Sequence, residues 1–115
     1  MLTYRTFGNT DLRVPAIGLG CYGMSGVYGA ADDAESIATV RLALDLGINL
    51  LDTSASYGQG HNHRLIGTAI QGRRHDVVIH SKNGRSNKPE CRSRIFADTH
   101  PGYRRVTDVS TASNE

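Results

Sequence analysis

The possible folds of this chain are limited most by a regular alternation of short apolar runs with stretches of helical periodicity. Apolar runs of strand length lie at residues 16–20, 48–51 and 77–79. Between them, apolar residues recur at steps of three and four, which is typical of a helix with one buried face. Units of about 30 residues in this order indicate right-handed βαβ crossovers. The sequence therefore predicts an α/β fold with a parallel sheet.

Both predicted helices carry recognisable boundary signals. Asp32 and Glu35 have the spacing of a capping pair, so the first helix is expected to begin near Asp33. Gly47 and Gly72 suit the left-handed conformation in which helices often end. The apolar stripe of the first helix comprises Ala34, Ile37, Val40 and Ala43 or Leu44, and that of the second comprises Leu65, Ile66, Ala69 and Ile70.

The two ends of the chain depart from this rhythm. The turn-forming cluster at residues 8–11 separates two short extended runs, which predicts a small β-hairpin within residues 1–15. Pro15 lacks the amide donor that a central strand needs, so the next strand should begin after it. Residues 83–115 show no convincing period, and we expect loop or one weak helix after Pro101. We assign residues 1–84 to a domain and 85–115 to a polar, poorly ordered tail.

Composition argues against several classes of partner. A length of 115 residues suits one domain, and the net charge of +2 is spread along the chain, so we expect no nucleic-acid partner. Cys21 and Cys91 lack the spacing of a metal site or of a disulfide framework, which favours a reduced compartment. The start has no basic-then-apolar leader, and no apolar stretch approaches the roughly 18 residues of a membrane helix. We expect a cytoplasmic protein without membrane or metal.

A glycine motif follows the first predicted strand. Gly18, Gly20 and Gly23 match G-x-G-x-x-G, but dinucleotide binding by that motif requires a helix to open directly at the glycines. The predicted helix begins about ten residues later, and Asp52 follows Gly23 by 29 positions instead of about 20. We favour glycines that let a strand enter a tight loop, and we keep a small Rossmann-type binder as the weaker alternative.

Three polar residues are expected to meet at one edge of the sheet. Asp52 ends the second predicted strand, Lys82 follows the third, and Tyr57 lies in the loop between them. Neighbouring strands lie about 4.8 Å apart, so Asp52 and Lys82 could form an ion pair. A tyrosine hydroxyl ordinarily titrates near pH 10, and an adjacent ammonium favours its ionised form. The three residues form a possible acid-catalysis set; a turn-starting acid, a packed ring and a solvated lysine are the ordinary alternatives.

Several runs of the sequence resemble the opening of an aldo-keto reductase. The resemblance covers about residues 1–84 in order. The matching runs are Tyr4-Arg5-Thr6-Phe7-Gly8, Val14-Pro15-Ala16-Ile17-Gly18-Leu19-Gly20, Gly47-Ile48-Asn49-Leu50-Leu51-Asp52-Thr53, Tyr57-Gly58-Gln59-Gly60-His61-Asn62 and Ser81-Lys82.

The resemblance implies an N-terminal β-hairpin followed by the first three βα units of a (β/α)8 TIM barrel. It also implies NADPH as hydride donor and reduction of an aldehyde or ketone, so the partner would be a small carbonyl substrate. Asp52, Tyr57 and Lys82 match three members of the family's catalytic tetrad. Cys21 and Tyr22 fall where the family's first βα loop touches the cofactor, and Asp52 also lies beside it.

The sequence departs from the family pattern in several places. The family's catalytic histidine, in a context such as Gln-His-Arg, has no counterpart, His63 replaces an acidic residue, and Asn83 replaces an aromatic one. A complete barrel needs about 250 residues, so we expect an incomplete barrel and a truncated, weakly active or inactive enzyme. The alternative is a non-catalytic fragment that associates with itself or a partner through exposed sheet surface.

Overall fold

Two hydrogen-bonded sheets organise residues 1–82, the part of the chain that this computed structural model describes. The strands are β1 (Tyr4–Thr6), β2 (Arg13–Pro15), β3 (Leu19–Gly20), β4 (Leu50–Ser54) and β5 (Val78–Lys82), and the helices are α1 (Asp33–Asp45) and α2 (His61–Ala69). Strands β1 and β2 pair antiparallel, and β3, β4 and β5 form a parallel sheet in that order. The predicted hairpin and parallel α/β sheet are confirmed. The predicted tail at 85–115 and the helix after Pro101 lie outside the described residues.

The hairpin extends slightly further along the chain than predicted. Its turn is closed by a hydrogen bond from Phe7 N to Leu12 O, and Pro15 pairs with Tyr4 at the end of β2. Ala16 N then donates to Thr3 O, so Ala16 still belongs to the hairpin. For this reason the first parallel strand is only Leu19–Gly20, and not the whole of residues 16–20.

Helix α1 begins where the sequence predicts. The Asp32 side chain accepts a hydrogen bond of 2.8 Å from Glu35 N and satisfies a main-chain donor at the helix start. At the other end Gly47 has a φ of 88°, and Ile48 N donates to Ala43 O. This bond holds the chain in the helix cap for two further residues, so β4 begins at Leu50 and not at Ile48.

The hydrophobic core lies between the two helices and one face of the parallel sheet. Its buried members are Cys21, Val40, Leu44, Leu51, Ile66, Ala69, Ile70 and Val77. The predicted stripe of α2 is fully buried, whereas Ala34 of α1 is exposed. Within residues 1–82, neither helix is long and apolar enough to cross a membrane.

Strand β4 divides its side chains between the two faces of the sheet. Leu51 and Thr53 are completely buried against the helices. Because side chains alternate along a strand, Leu50 and Asp52 face the other side, where they line a cavity of about 350 Å³ together with Phe7 and His80. The described helices leave this second face open, and the polar residues of β4 and β5 emerge on it.

Candidate active site

The structure brings together the three residues that the sequence singled out. Asp52 lies in the middle of β4, and Lys82 is the last residue of β5. Lys82 Nζ donates to Asp52 Oδ1 at 2.7 Å and to Tyr57 Oη at 2.9 Å. The predicted ion pair is thus present, although Asp52 lies in the middle of β4 and not at the end of its strand, where the sequence predicts it. The lysine ammonium links the carboxylate to the phenol.

The Tyr57 side chain is positioned by a sharp turn after β4. Residues Tyr57–Gly60 form a 3₁₀ turn with left-handed conformations at Gly58, Gln59 and Gly60. A Cβ at Gly58 would lie 2.9 Å from the Cβ of His61, so this position admits only glycine without rearrangement. Gln59 has a φ of 53°, which is unusual for a residue with a side chain. The turn folds Tyr57 back over the strand ends.

The contacts of Lys82 fix its charge and orient the phenol. Burial by itself would lower the lysine pKa, but hydrogen bonds to Asp52 and Tyr57, and their charges, outweigh it and raise the pKa above its usual value. Lys82 therefore remains an ammonium at neutral pH. Because an ammonium can only donate, Tyr57 Oη is the acceptor in their hydrogen bond. The hydroxyl proton of Tyr57 is then directed to another partner, as a proton donor requires.

A cluster of three tyrosine rings lies beside the hydrogen-bonded residues Asp52, Lys82 and Tyr57. The rings of Tyr22 and Tyr57 are 4.5 Å apart and inclined at 40°, and Tyr28 meets Tyr22 edge-on at 5.6 Å. A Cβ at Gly23 would lie 3.0 Å from the Tyr28 ring, so the last glycine of the G-x-G-x-x-G run makes room for this packing. No α-helix opens at the glycines, because α1 begins ten residues later at Asp33. The structural requirement of the Rossmann alternative is not met.

Asn62 anchors the loops on which Tyr22 and Tyr57 lie. Its side chain is completely buried; Nδ2 donates to Cys21 O at 2.7 Å and to Ser25 Oγ at 2.9 Å. Its Oδ1 accepts a hydrogen bond of 2.6 Å from Thr53 Oγ1. One amide thus connects the loop after β3, the strand β4 and the start of α2. In the sequence Asn62 stands out only as part of a run that resembles the family, since its hydrogen-bond partners are distant in sequence.

A second connection joins the starts of the two helices. His61 Nε2 lies 2.9 Å from Asp33 Oδ1, and His61 Nδ1 lies 2.9 Å from Ser25 Oγ. Since a carboxylate only accepts, His61 Nε2 is the donor to Asp33. Ser25 also lies close to Gly58: a Cβ added at Gly58 would be 3.1 Å from the Cβ of Ser25. This trio serves to fasten the loop after β3; no spacing in the sequence could have indicated it.

Cys21 faces the core and not the site. Its thiol is completely buried, and burial, with a smaller effect of the Asp52 charge, raises its pKa to about 12. The thiol therefore stays protonated and is a poor nucleophile. Its main-chain N–H donates to Asp52 O at 2.9 Å. A role of Cys21 beside a cofactor stays a prediction, and any such contact would be made through the main chain.

The residues at the strand ends suit a nicotinamide cofactor. A Cβ at Gly20 would meet nothing within 4 Å, so there is space on the open face beside Asp52, which lies opposite Gly20 in the sheet. Tyr22, two residues after Gly20, is 40% exposed and packs against the Tyr57 ring. A flat, partly apolar ring that carries a carboxamide would find stacking surface and a hydrogen-bond acceptor there. Within residues 1–82, no cluster of three or more His, Cys, Asp or Glu residues could hold a metal ion.

Comparison with known proteins gives a single consistent result. Residues 16–102 match the model of the aldo/keto reductase family. The aldo-keto reductase YhdN of Bacillus subtilis is 32% identical over 114 residues, which cover 91% of this chain and 34% of that protein. The holo form of the aldo-keto reductase AKR11C1 from Bacillus halodurans superposes with a TM-score of 0.65 at 34% identity, over 73% of this chain and 26% of its own.

One structural neighbour was solved with a cofactor. The aldo-keto reductase from Klebsiella pneumoniae in complex with NADPH superposes with a TM-score of 0.62 at 35% identity, over 72% of this chain and 28% of its own. These neighbours are TIM barrels, so the hairpin and the three parallel strands correspond to part of such a barrel. The chain spans only between 24% and 34% of the length of the curated relatives that it matches first.

Proposed function

The chain belongs to the aldo/keto reductase family, and we propose that it takes part in the NADPH-dependent reduction of an aldehyde or ketone to an alcohol. The observation that carries the proposal is the continuous hydrogen-bonded chain from Asp52 through Lys82 to Tyr57. This arrangement supports general acid catalysis at a carbonyl, because the Lys82 ammonium donates to the Tyr57 oxygen and leaves the hydroxyl proton free to be donated.

Tyr57 is the proton donor in this proposal. Its hydroxyl protonates the carbonyl oxygen of the substrate as negative charge develops there, and the Lys82 ammonium at 2.9 Å stabilises the phenolate that remains. Asp52 holds the ammonium in place at 2.7 Å and keeps it charged. The Tyr22 ring packs against the Tyr57 ring at 4.5 Å and helps to hold the phenol in place.

NADP(H) is the proposed cofactor, and it would supply a hydride to the carbonyl carbon. Tyr22, Asp52 and the main chain at Cys21 are the residues of this chain that would hold its nicotinamide end. The NADPH complex of the Klebsiella neighbour and the open space at Gly20 support this assignment. We further propose a cytoplasmic location, in agreement with the free thiol of Cys21.

The proposal is tested by NADPH consumption with the purified 115-residue chain and a panel of small aldehydes and ketones. Tyr57→Phe removes the proton donor but keeps the ring, and should lower kcat by about 10²-fold or more. Tyr4→Phe is the matched control, because it makes the same chemical change in the hairpin, where the hydroxyl binds Gly47 O. Absence of turnover at high protein concentration, or equal activity of the Tyr57 variant, would refute the proposal.

A second candidate function is association through the open face of the sheet. The half-buried Leu50 and the cavity that it lines with Phe7 favour it, because apolar surface of this kind is often covered by a partner or a second copy. Sedimentation analysis should then show an oligomer that Leu50→Glu dissociates. A strictly monomeric chain would exclude self-association.

A further inference from the structure

His80 lies in the site although the apolar run that predicts its strand ends at Ile79. It is directly opposite Asp52 in the β4–β5 register and two residues before Lys82 on the same face of β5. His80 Nδ1 is 3.1 Å from Asp52 Oδ1, the same oxygen that accepts from Lys82 Nζ at 2.7 Å. One carboxylate oxygen therefore has two nitrogen donors on the neighbouring strand.

The chemistry of the carboxylate determines the role of the imidazole. Ionised Asp52 can only accept hydrogen bonds, so His80 Nδ1 must be the donor, whether the ring is neutral or protonated. Two donors on one oxygen share its electron density, and each bond is weaker than it would be alone. The imidazole therefore competes with the ammonium for Asp52.

The surroundings of His80 contain few other charges. Among residues 1–82, Asp52 on β4 pairs with His80, and Lys82 of the same strand as His80 pairs with the same carboxylate oxygen. On the hairpin side the cavity is lined by Phe7, and the remaining lining consists of leucines and glycines. The His80 side chain is 57% exposed and is held by Asp52 and not by packing. Its influence on the site therefore passes through that carboxylate.

We propose that His80 is a positioning residue of this site: by sharing Asp52 Oδ1 with Lys82, it limits how tightly Asp52 holds the ammonium. More of the lysine's positive charge is then available to the Tyr57 oxygen. The competition for Asp52 stands on the geometry alone, whereas its effect on catalysis rests on the proposed carbonyl reduction.

The competition is tested by titrating Lys82 Nζ by ¹⁵N NMR in the full 115-residue chain. His80→Ala leaves Asp52 to Lys82 alone and should raise the Lys82 pKa by roughly half a unit, the size expected of a half-exposed pair. His80→Asn is the matched variant, because its amide can donate from nearly the position of Nδ1. It should restore the value of the unsubstituted chain.

Repeating the titration in the Asp52→Asn variant shows whether His80 acts on the Lys82 pKa through the Asp52 carboxylate. In Asp52→Asn the Lys82 pKa should fall, and adding His80→Ala should then change it no further. The proposal is overturned if His80→Ala leaves the Lys82 pKa unchanged, if His80→Asn behaves like His80→Ala, or if the shift persists without the Asp52 carboxylate.

Turnover measures the catalytic consequence separately. His80→Ala should lower kcat by up to roughly threefold, which corresponds to half a pKa unit, with the Kd for NADPH unchanged and with recovery in His80→Asn. A shifted Lys82 pKa with unchanged kcat would overturn the catalytic role. If the unsubstituted chain shows no turnover at all, the proposed function fails, while the Lys82 titration still decides whether His80 competes for Asp52.

Discussion

Lys82 and Asp52 form their ion pair diagonally across β5 and β4, because the residue directly opposite Asp52 is His80 and the residue opposite Lys82 is Ser54. Both charged side chains are nearly half exposed. An ion pair in such a position contributes little to stability, so its geometry is better explained by the placement of charge beside Tyr57.

We therefore expect Lys82→Met to remove NADPH-dependent reduction while it changes the free energy of unfolding by less than about 1 kcal/mol. Asp52 would remain solvated and hydrogen-bonded to His80, which keeps the cost small. Urea denaturation of both proteins measures the difference. A loss of several kcal/mol would assign the pair to the stability of the fold and not to catalysis.

Asn62→Ala, in contrast to Lys82→Met, should lower the free energy of unfolding substantially, by about 2–3 kcal/mol. The substitution leaves Cys21 O and Thr53 Oγ1 without their buried partner and releases the loop after β3. Chemical denaturation provides the measurement, and Arg64→Ala on the exposed side of the same helix provides the control. Equal stability of the two variants would mean that Asn62 does not fasten the loops.

The stability of the fold should fall in mild acid because of His63. This residue is buried against Ser81 Oγ at 3.0 Å, and burial lowers its pKa below the ordinary imidazole value. Below about pH 6.5 the unfolded chain binds a proton that the folded chain resists, so stability is lost as the pH falls.

The measurement is denaturation at two pH values. Between about pH 7.5 and 5.5 the chain should lose stability through His63, by at most about 1.4 kcal/mol, and His63→Gln should remove that part of the pH dependence. His75→Gln is the control, since His75 lies on the surface with 80% exposure. The explanation fails if both variants keep the full pH dependence.

Replacing two of the glycines by alanine should change the stability of the fold in opposite directions. Gly47 has a φ of 88°, and an added Cβ would lie 2.5 Å from Tyr4 Oη, so Gly47→Ala should destabilise the fold by at least about 1 kcal/mol. Gly67 lies inside α2 with open space around it, so Gly67→Ala should stabilise by roughly 0.5–1 kcal/mol. Thermal unfolding of both variants checks the contrast, and destabilisation by both would contradict the described α2.

Much of the fold follows from local signals in the sequence. The cap at Asp32, the stop at Gly47 and the apolar stripe of α2 are all where the sequence predicts them. The strand boundaries are less accurate because they depend on hydrogen bonds made elsewhere. Ile48 is retained by the cap of α1, and Ala16 is retained by the hairpin.

The candidate site was only partly predictable for a similar reason. Asp52, Tyr57 and Lys82 follow from the rule that parallel strands end at one edge, and the structure does bring them together. His80 was missed because the predicted strand ended with the apolar residues, whereas main-chain pairing continues through polar residues to Lys82. The alternation of side chains along a longer strand would have placed His80 and Lys82 on one face.

The central claim is tested most directly by titrating the purified 115-residue chain with NADPH and following the fluorescence of the cofactor. We expect saturable binding that Tyr22→Ala weakens, because the Tyr22 ring is exposed and packs against Tyr57 at 4.5 Å, beside the Asp52 and Lys82 pair. Absence of binding up to millimolar cofactor would contradict the claim that these strand ends form a working nicotinamide site.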